Sequence, residues 1–481
     1  MTPKNSQRPS SPTWKPHDYQ LKAMKFLLEH AAAGLFLKPG LGKTSCTLGA
    51  FEFLRKRGMA RRMLIVAPLR VCHSVWPREA QKWADFQHLK VCVLHGHDKE
   101  SLLSTDADIF LINYEALEWL LGATKIAKRT MQVDPWRMRQ LECDVIVFDE
   151  LSRVKNHGSN RFTALRHVLH MFGRRWGLTG SPAPNGLIDL WAECFCLDLG
   201  RSLGPYISNF RRTYFSVDRS GFVYTPMPGM EERIYERIAP LVLQMGDDLI
   251  ALPELRENII LVDLPEKVMA TYRAMETAFL TAVDDKVVTA ATAAAASMKI
   301  RQIAAGGLYH DTAPGKPKTW SQLHDHKIDA LEELVGELQG SPLLTAYEFQ
   351  HDVDRLKRRF PKATYVCDLS THEFDRVVDR WNAGGIDHLI GHPASMGHGL
   401  NLQGCGTDVC FLNQTWNFEL LDQFIRRVYR QGQKRAVTVH HIIASGTIEE
   451  KVLGVIRGKD RTQSALFSAL KKLAQEKLHA R

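Results

Sequence analysis

LFLKPGLGKTSCTLGAF, residues 35–51, sets a glycine-bearing loop between two stretches of different character. Leu35, Phe36 and Leu37 close a short apolar run, as a buried strand does before a turn at Pro39 and Gly40. From about Thr44 to Arg57 the pattern is that of a helix. A loop in that context points its backbone N–H groups inward at the positive end of a helix dipole, which makes a cradle for phosphate oxygens. Gly40 and Gly42 let the backbone approach the phosphates, Lys43 neutralises the β and γ phosphates of ATP, and the Thr44 hydroxyl holds Mg2+. The strict pattern GxxxxGK[ST] is broken at its first position, where Leu37 stands.

Outward from this loop, apolar runs and helical patterns alternate. LKAMKFLLEHAA precedes it with helical spacing, while MLIVAPL (63–69) and CDVIVFDE (143–150) have the unbroken Val and Ile content of parallel strands buried on both faces. Such alternation is the signature of an α/β fold. The second of these strands ends on Asp149 and Glu150, so both carboxylates emerge at a strand's carboxyl end, where parallel sheets place their ligands. Asp149 then binds Mg2+ through water, and Glu150 polarises the water that attacks the γ-phosphate. Paired acids after a strand are common on surfaces; it is their place after Lys43 and Thr44 that makes them a site.

The alternation lapses between about 200 and 310, where polar helical patterns and the alanine-rich AVDDKVVTAATAAAASMKIRQIAAGG read as helical insertion. It returns with PLLTAY (342–347), ATYVCDL (363–369), DHLIGHP (387–393), TDVCFLN (407–413) and AVTVHHII (436–443), which read as a second sheet. The expected organisation is a flexible arm over 1–16, a first lobe over 17–199, a helical insertion over 200–250, a second lobe over 251–450 with a helical element at about 266–310, and a basic helical segment over 451–481.

Bulk properties agree with a two-lobed enzyme. The chain has 481 residues, 44% hydrophobic and 24% charged, which is globular rather than disordered, and too long for one ordinary core. With 63 Lys and Arg against 53 Asp and Glu it carries +10, which suits a polyanionic partner. No apolar run reaches the roughly 20 residues that span a bilayer, and the opening residues lack the apolar core of a signal peptide, so no membrane partner is expected. Nine scattered cysteines without a CxxC indicate neither a zinc site nor a disulfide framework. A reducing compartment is expected: the cytoplasm of a bacterium or of a phage-infected host, or else a nucleus.

On these and further motifs the sequence resembles Swi/Snf-type ATPases of helicase superfamily two, in the compact form that phage and bacterial genomes carry. GLGKT (40–44) looks like motif I of that family, which often lacks the first P-loop glycine. DELSRVKN (149–156) resembles motif II, with Ser152 where a histidine is usual. HDYQ (17–20) is similar to the Q motif, IVAPLRVCHSVWPREAQKW (65–83) to motif Ia, INYEAL (112–117) to the segment after it, and LTGSPAPN (178–185) to motif III. SMGHGLNLQG (395–404) resembles motif V, and QTWNFELLDQFIRRVYRQGQKRAVTVHHIIASGTIEE (414–450) resembles motif VI with its flanks.

The resemblance implies two RecA-like lobes with helical insertions between them, closing on ATP and Mg2+. It implies that Gln20 reads the adenine edge, that Thr179 and Ser181 couple hydrolysis to lobe movement, and that Gln423, Arg427 and Arg430 form the QxxxRxxR set whose arginines reach the γ-phosphate. On a helix Arg427 and Arg430, three apart, would point the same way; Arg426 competes for the same role. Nucleic-acid contacts are expected at Pro68, Arg70, Asn113 and Tyr114 in the first lobe and at Ser395, His398 and Asn401 in the second. The activity implied is a DNA-stimulated ATPase that translocates, on duplex DNA in preference to single strands. A strand-separating helicase and an ATP-gated loading protein acting with a replication or recombination partner are the alternatives.

Overall fold

The computed structural model describes residues 11–127, 130–180, 186–218, 224–245, 252–284, 290–310, 319–396, 400–415 and 417–457. The chain divides into two compact units, Met1–Ala251 and Leu252–Arg481. Ser181, His398 and residues 458–481 of the expected C-terminal helical segment lie outside the described residues.

In the first unit, counting the strands of the main sheet, β1 is Ala32–Leu37, β2 Met63–Ala67, β3 Val91–Val93, β4 Ile109–Asn113, β5 Val145–Asp149, β6 Arg174–Thr179 and β7 Val242–Met245. They pair in the order β7-β1-β6-β5-β2-β4-β3, and every pairing is parallel. The period of two along a strand explains the unbroken apolar runs. Leu64, Val66, Ile146 and Phe148 go to one face, against the helices Asn160–Arg166 and Leu190–Asp198. Ile65, Ala67, Val145 and Val147 go to the other, against Asp18–Glu29 and Lys43–Lys56. Both faces are core, so no polar alternation survives.

The second unit contributes β8 (Leu255–Val262), β9 (Leu343–Ala346), β10 (Thr364–Tyr365), β11 (His388–Gly391), β12 (Asp408–Phe411) and β13 (Val437–Ala444), again all parallel, in the order β8-β13-β12-β9-β11-β10. Leu344, Leu389 and Val409 pack with the helix Thr371–Asn382 on one side, and Leu343, Ile390 and Cys410 with His326–Glu337 and Gln350–Arg359 on the other. The helices Glu266–Asp284 and Ala290–Ala305 pair beside the sheet's end at Ala444 and Ile448. Two parallel sheets, each covered by helices on both faces, are the RecA-like lobes expected from the sequence.

Two segments differ from the reading. The stretch 200–250 holds the helices Ile207–Tyr214 and Met230–Ile238, but it ends in β7, which hydrogen-bonds along β1 and completes the first sheet. Four residues are too short a run to declare a strand among helical neighbours. Residues 11–16 are fastened rather than loose: the Trp14 N–H donates to Asp85 Oδ2 at 2.7 Å, and Ala84 N–H to Pro12 O at 3.0 Å. The Trp14 ring lies on Gly49 of the helix Lys43–Lys56, where a Cβ would meet it at 2.6 Å. Polarity of the surrounding arm hid an aromatic anchor.

Candidate functional site

Sheet order alone aligns the first lobe's candidates. β1, β6 and β5 are neighbours, followed by β2 and β4. Phe36 pairs with Thr179, Leu178 with Asp149, and Ala67 with Asn113. The carboxyl edge therefore presents, strand by strand at about 4.8 Å spacing, the phosphate loop, Thr179, the Asp149–Glu150 pair, Pro68 with Arg70, and Asn113.

The phosphate loop has the backbone its role demands. Gly40 and Gly42 have φ of 93° and 76°, a left-handed region costly to other residues. A Cβ on Gly42 would also meet Gln20 Nε2 at 2.3 Å. The residue before the helix that starts at Lys43 is Gly42, which has no side chain to cap it, and a helix start of this kind favours an anion. The Lys43 ammonium folds back on the loop, donating to Leu37 O at 2.8 Å and Lys38 O at 3.5 Å, and Thr44 is half-buried beside it. These residues fit a triphosphate. Gly180, after β6, touches the loop so closely that a Cβ would lie 2.9 Å from Pro39 Cδ. Gln20 is buried, with its carbonyl accepting from His17 N–H at 3.0 Å and its amide donating to Leu41 O at 3.3 Å. It thus holds the loop, and one N–H and one lone pair remain for an adenine edge.

The acid pair is held from two sides. Asp149 is buried, and Oδ2 accepts the Trp76 indole N–H at 2.8 Å. Glu150, also buried, has φ 62° and ψ 64°, a left-handed conformation that costs a non-glycine residue roughly 1–2 kcal/mol. The Tyr114 hydroxyl lies 2.9 Å from Asp149 O and 3.2 Å from Glu150 O, sharing its proton between the two carbonyls that flank that strained residue. Burial, with Asp149 and Glu150 next, pushes the phenol well above its ordinary pKa, so it stays a donor. The expected nucleic-acid contact at Tyr114 is therefore corrected: the side chain is 1% exposed and belongs to the core beneath the acids. Asn113 is buried too, its amide donating to Glu115 Oε2 at 3.0 Å, while Pro68 and Arg70 are half-exposed. Ser152, in the place of a histidine, is buried.

Trp76 stands inside the segment that resembles motif Ia, and nothing in the sequence singles it out. Its partner lies 73 residues away, and only the adjacency of β2 and β5 brings them together.

In the second lobe the helix Phe418–Ile425 starts under an Asn417 cap, whose Oδ1 accepts from Leu420 N–H at 3.2 Å, and Gln423 donates to Glu419 at 3.1 Å on it. The helix ends at Ile425, so Arg427 and Arg430 are not on it, contrary to the helical argument. They lie in the turns that follow, and still converge: their Nη1 atoms lie 3.5 and 2.8 Å from the one carbonyl of Leu400. Arg426 turns away to Asp422, with Nε 3.3 Å from both carboxylate oxygens. Buried Gln433 knits the two motifs by donating to Gly406 O at 3.1 Å and Gln403 O at 3.4 Å. Asn401 is exposed and its Oδ1 accepts from Gln403 N–H at 3.2 Å; Ser395 is half-buried.

Behind these turns lies a buried charge network that sequence reading missed. Lys327, 1% exposed, donates to Asn413 Oδ1 at 2.9 Å and to Glu449 at 2.7 and 2.8 Å. Asn413 donates to Asp352 Oδ2 at 2.8 Å, and Arg355 reaches Asp352 Oδ1 at 2.8 Å. Burial alone would raise Asp352, but His351, Arg355 and the Phe349 N–H outweigh it and hold the carboxyl below its ordinary value.

Comparison with known proteins assigns the family. The family model for the SNF2-related domain matches residues 19–307. The chain belongs to the SNF2-related family. Protein p41 of Acyrthosiphon pisum secondary endosymbiont phage 1 is 34% identical over 486 residues, covering 96% of this chain and 99% of p41. The ISWI chromatin-remodeling complex ATPase ISW2 of Saccharomyces cerevisiae is 24% identical over 469 residues, 91% of this SNF2-family chain but only 40% of ISW2. Among solved structures, the Sulfolobus solfataricus SWI2/SNF2 ATPase core in complex with dsDNA is 24% identical, with a TM-score of 0.42, over 95% of this chain and 96% of that one. This SNF2-family chain is an ATP hydrolase of the helicase-like class. No helix among the described residues is long and apolar enough to cross a membrane.

Proposed function

We propose that this SNF2-family ATPase moves along DNA, duplex in preference to single strands, by opening and closing its lobes on ATP. The observation that carries the reading is the single row of strand ends in the first lobe. It runs from the phosphate loop through the acid pair to Pro68, Arg70 and Asn113, so hydrolysis and the proposed track share one sheet edge.

In this reading the loop N–H groups and Lys43 bind the phosphates, and Glu150 draws a proton from the attacking water. Thr44 and Asp149 would hold Mg2+, which supplies charge neutralisation on the phosphate oxygens when bound. Arg427 and Arg430, or Arg426 in their stead, bring positive charge to the γ-phosphate from the second lobe. Thr179 and Ser181 follow the hydrolysis step because Gly180, between them, rests on the phosphate loop. Ser395, His398 and Asn401 supply the second lobe's grip. Gripping phosphates, which repeat regardless of sequence, suits a motor. The net charge of +10 and the kinship with a chromatin-remodeling ATPase both favour duplex DNA as the track.

The test is steady-state ATP hydrolysis without nucleic acid and with single-stranded DNA, duplex DNA or RNA at matched salt, followed by triplex displacement. Stimulation by duplex and displacement of a third strand are expected. Stimulation by single strands alone would instead indicate a strand-separating helicase, and none at all an ATP-gated protein that works on a replication or recombination partner. Lys43→Ala, as control, should lower turnover by about 10²–10³.

A further inference from the structure

We infer that Trp76 and Tyr114 are positioning residues through which the two first-lobe loops facing the proposed track set the geometry of the Asp149–Glu150 pair. The inference rests on the reading of the chain as a DNA-stimulated ATPase and names the device by which stimulation reaches the acids.

Both side chains start on the loops in question. Trp76 follows β2 by way of Pro68, Arg70 and the π-helical turn Val71–Val75, an irregularity that recurs at functional sites. Tyr114 follows β4 directly after Asn113. Both run inward, are 1% exposed, and end on the acid turn from opposite chemical sides. The indole fixes the Asp149 carboxylate through Oδ2. The phenol binds no carboxylate; it sits on the carbonyls of Asp149 and Glu150, between which the φ and ψ of Glu150 lie. A donor shared by those two carbonyls holds Glu150 in its left-handed conformation, and with it the direction of its side chain.

Burial makes both contacts strong and directional, since no water competes for the acceptors. A displacement of either loop, as when a phosphate backbone docks on Arg70 or beside the loop after β4, must therefore be passed to Asp149 or Glu150 or break a buried hydrogen bond. At the outer end, Glu115 ties this second loop to Arg161, with Nη2 3.6 Å away, and the Arg161 guanidinium lies over the Tyr114 ring at 5.3 Å. The second loop is thus tied at its outer end as well as to the acids.

Tyr114→Phe removes the hydroxyl and keeps the ring. Duplex DNA affinity, by fluorescence anisotropy without nucleotide, should stay unchanged, while the ratio of DNA-stimulated to basal hydrolysis falls about tenfold. Amide hydrogen exchange over residues 149–154 should slow on duplex binding in the unchanged protein and not in the variant. Trp76→Phe, which carries the test if the tyrosine variant fails to fold, should raise the Mg2+ concentration for half-maximal hydrolysis several-fold and abolish the same DNA-dependent protection. Stimulation and protection that survive both substitutions overturn the inference alone. Absence of stimulation in the unchanged protein overturns the functional reading, and the inference with it.

Discussion

The carboxyl edges of the two sheets are built from different materials. In the first lobe the edge is shaped by backbone: Gly40, Gly42 and Glu150 in left-handed conformations, and neutral donors from Gln20, Trp76 and Tyr114. In the second it is shaped by charge, with Lys327, Glu449, Asp352 and Arg355 linked through Asn413, and with Arg427 and Arg430 meeting at one carbonyl. Neutral donors hold a fixed cradle with small desolvation costs. A buried ionic network is intact only while each partner is present and charged, so the second edge is the one that single substitutions and acid should disrupt.

The largest effect should come from the arginines, because in the proposed mechanism they bring charge where charge develops rather than shape a cradle. Arg430→Ala is expected to lower kcat by about 10³–10⁵ with ATP affinity nearly intact, read from steady-state kinetics beside nucleotide-analogue binding. A variant that instead loses ATP binding with little change in kcat would make Arg430 part of a cradle and erase the contrast between the lobes. Next is Lys327→Met, which leaves Glu449 buried without its ammonium. It should destabilise the second lobe by about 3–5 kcal/mol, read by urea unfolding with segment-resolved hydrogen exchange. A loss below about 1 kcal/mol would show that water already enters the network.

The same contrast decides what could be read beforehand. The first edge was legible because a phosphate loop and an acid-tipped strand are local patterns, and local patterns of Gly, Lys and Val survive in one dimension. Trp76 was not, since its meaning depends on a partner 73 residues away across neighbouring strands. Tyr114 was misassigned because a tyrosine after a strand end is equally suited to the surface and to the core; only the position of the Asp149 and Glu150 carbonyls decides. Helical spacing does not apply to Arg427 and Arg430, which lie beyond the helix end at Ile425; the turn geometry brings both to Leu400 O. The Lys327 network left no trace, its members being spread from Lys327 to Glu449 with no common motif.

Acid should weaken the second lobe through buried histidines away from its carboxyl edge, with the smallest effect of the three. Burial pulls His324 and His388 of the second lobe from the ordinary 6.5 down to about 4; His324 Nε2 donates to Ile303 O at 3.1 Å, and His388 Nε2 lies 2.9 Å from Thr345 Oγ1. A folded-state pKa below the unfolded value means that the unfolded chain binds more protons between pH 6.5 and 4. Stability is therefore full above 6.5 and is lost as pH falls through that window. By pH 5.5 the loss is roughly 1 kcal/mol for each histidine, so the second lobe should weaken by about 2 kcal/mol relative to pH 7.5. Urea unfolding at the two pH values, resolved by lobe through pulse proteolysis, measures this directly, and His388→Gln should remove about half of the dependence. A second lobe whose stability is flat from pH 7.5 to 5.5 would mean that both imidazoles are solvated when the chain is folded.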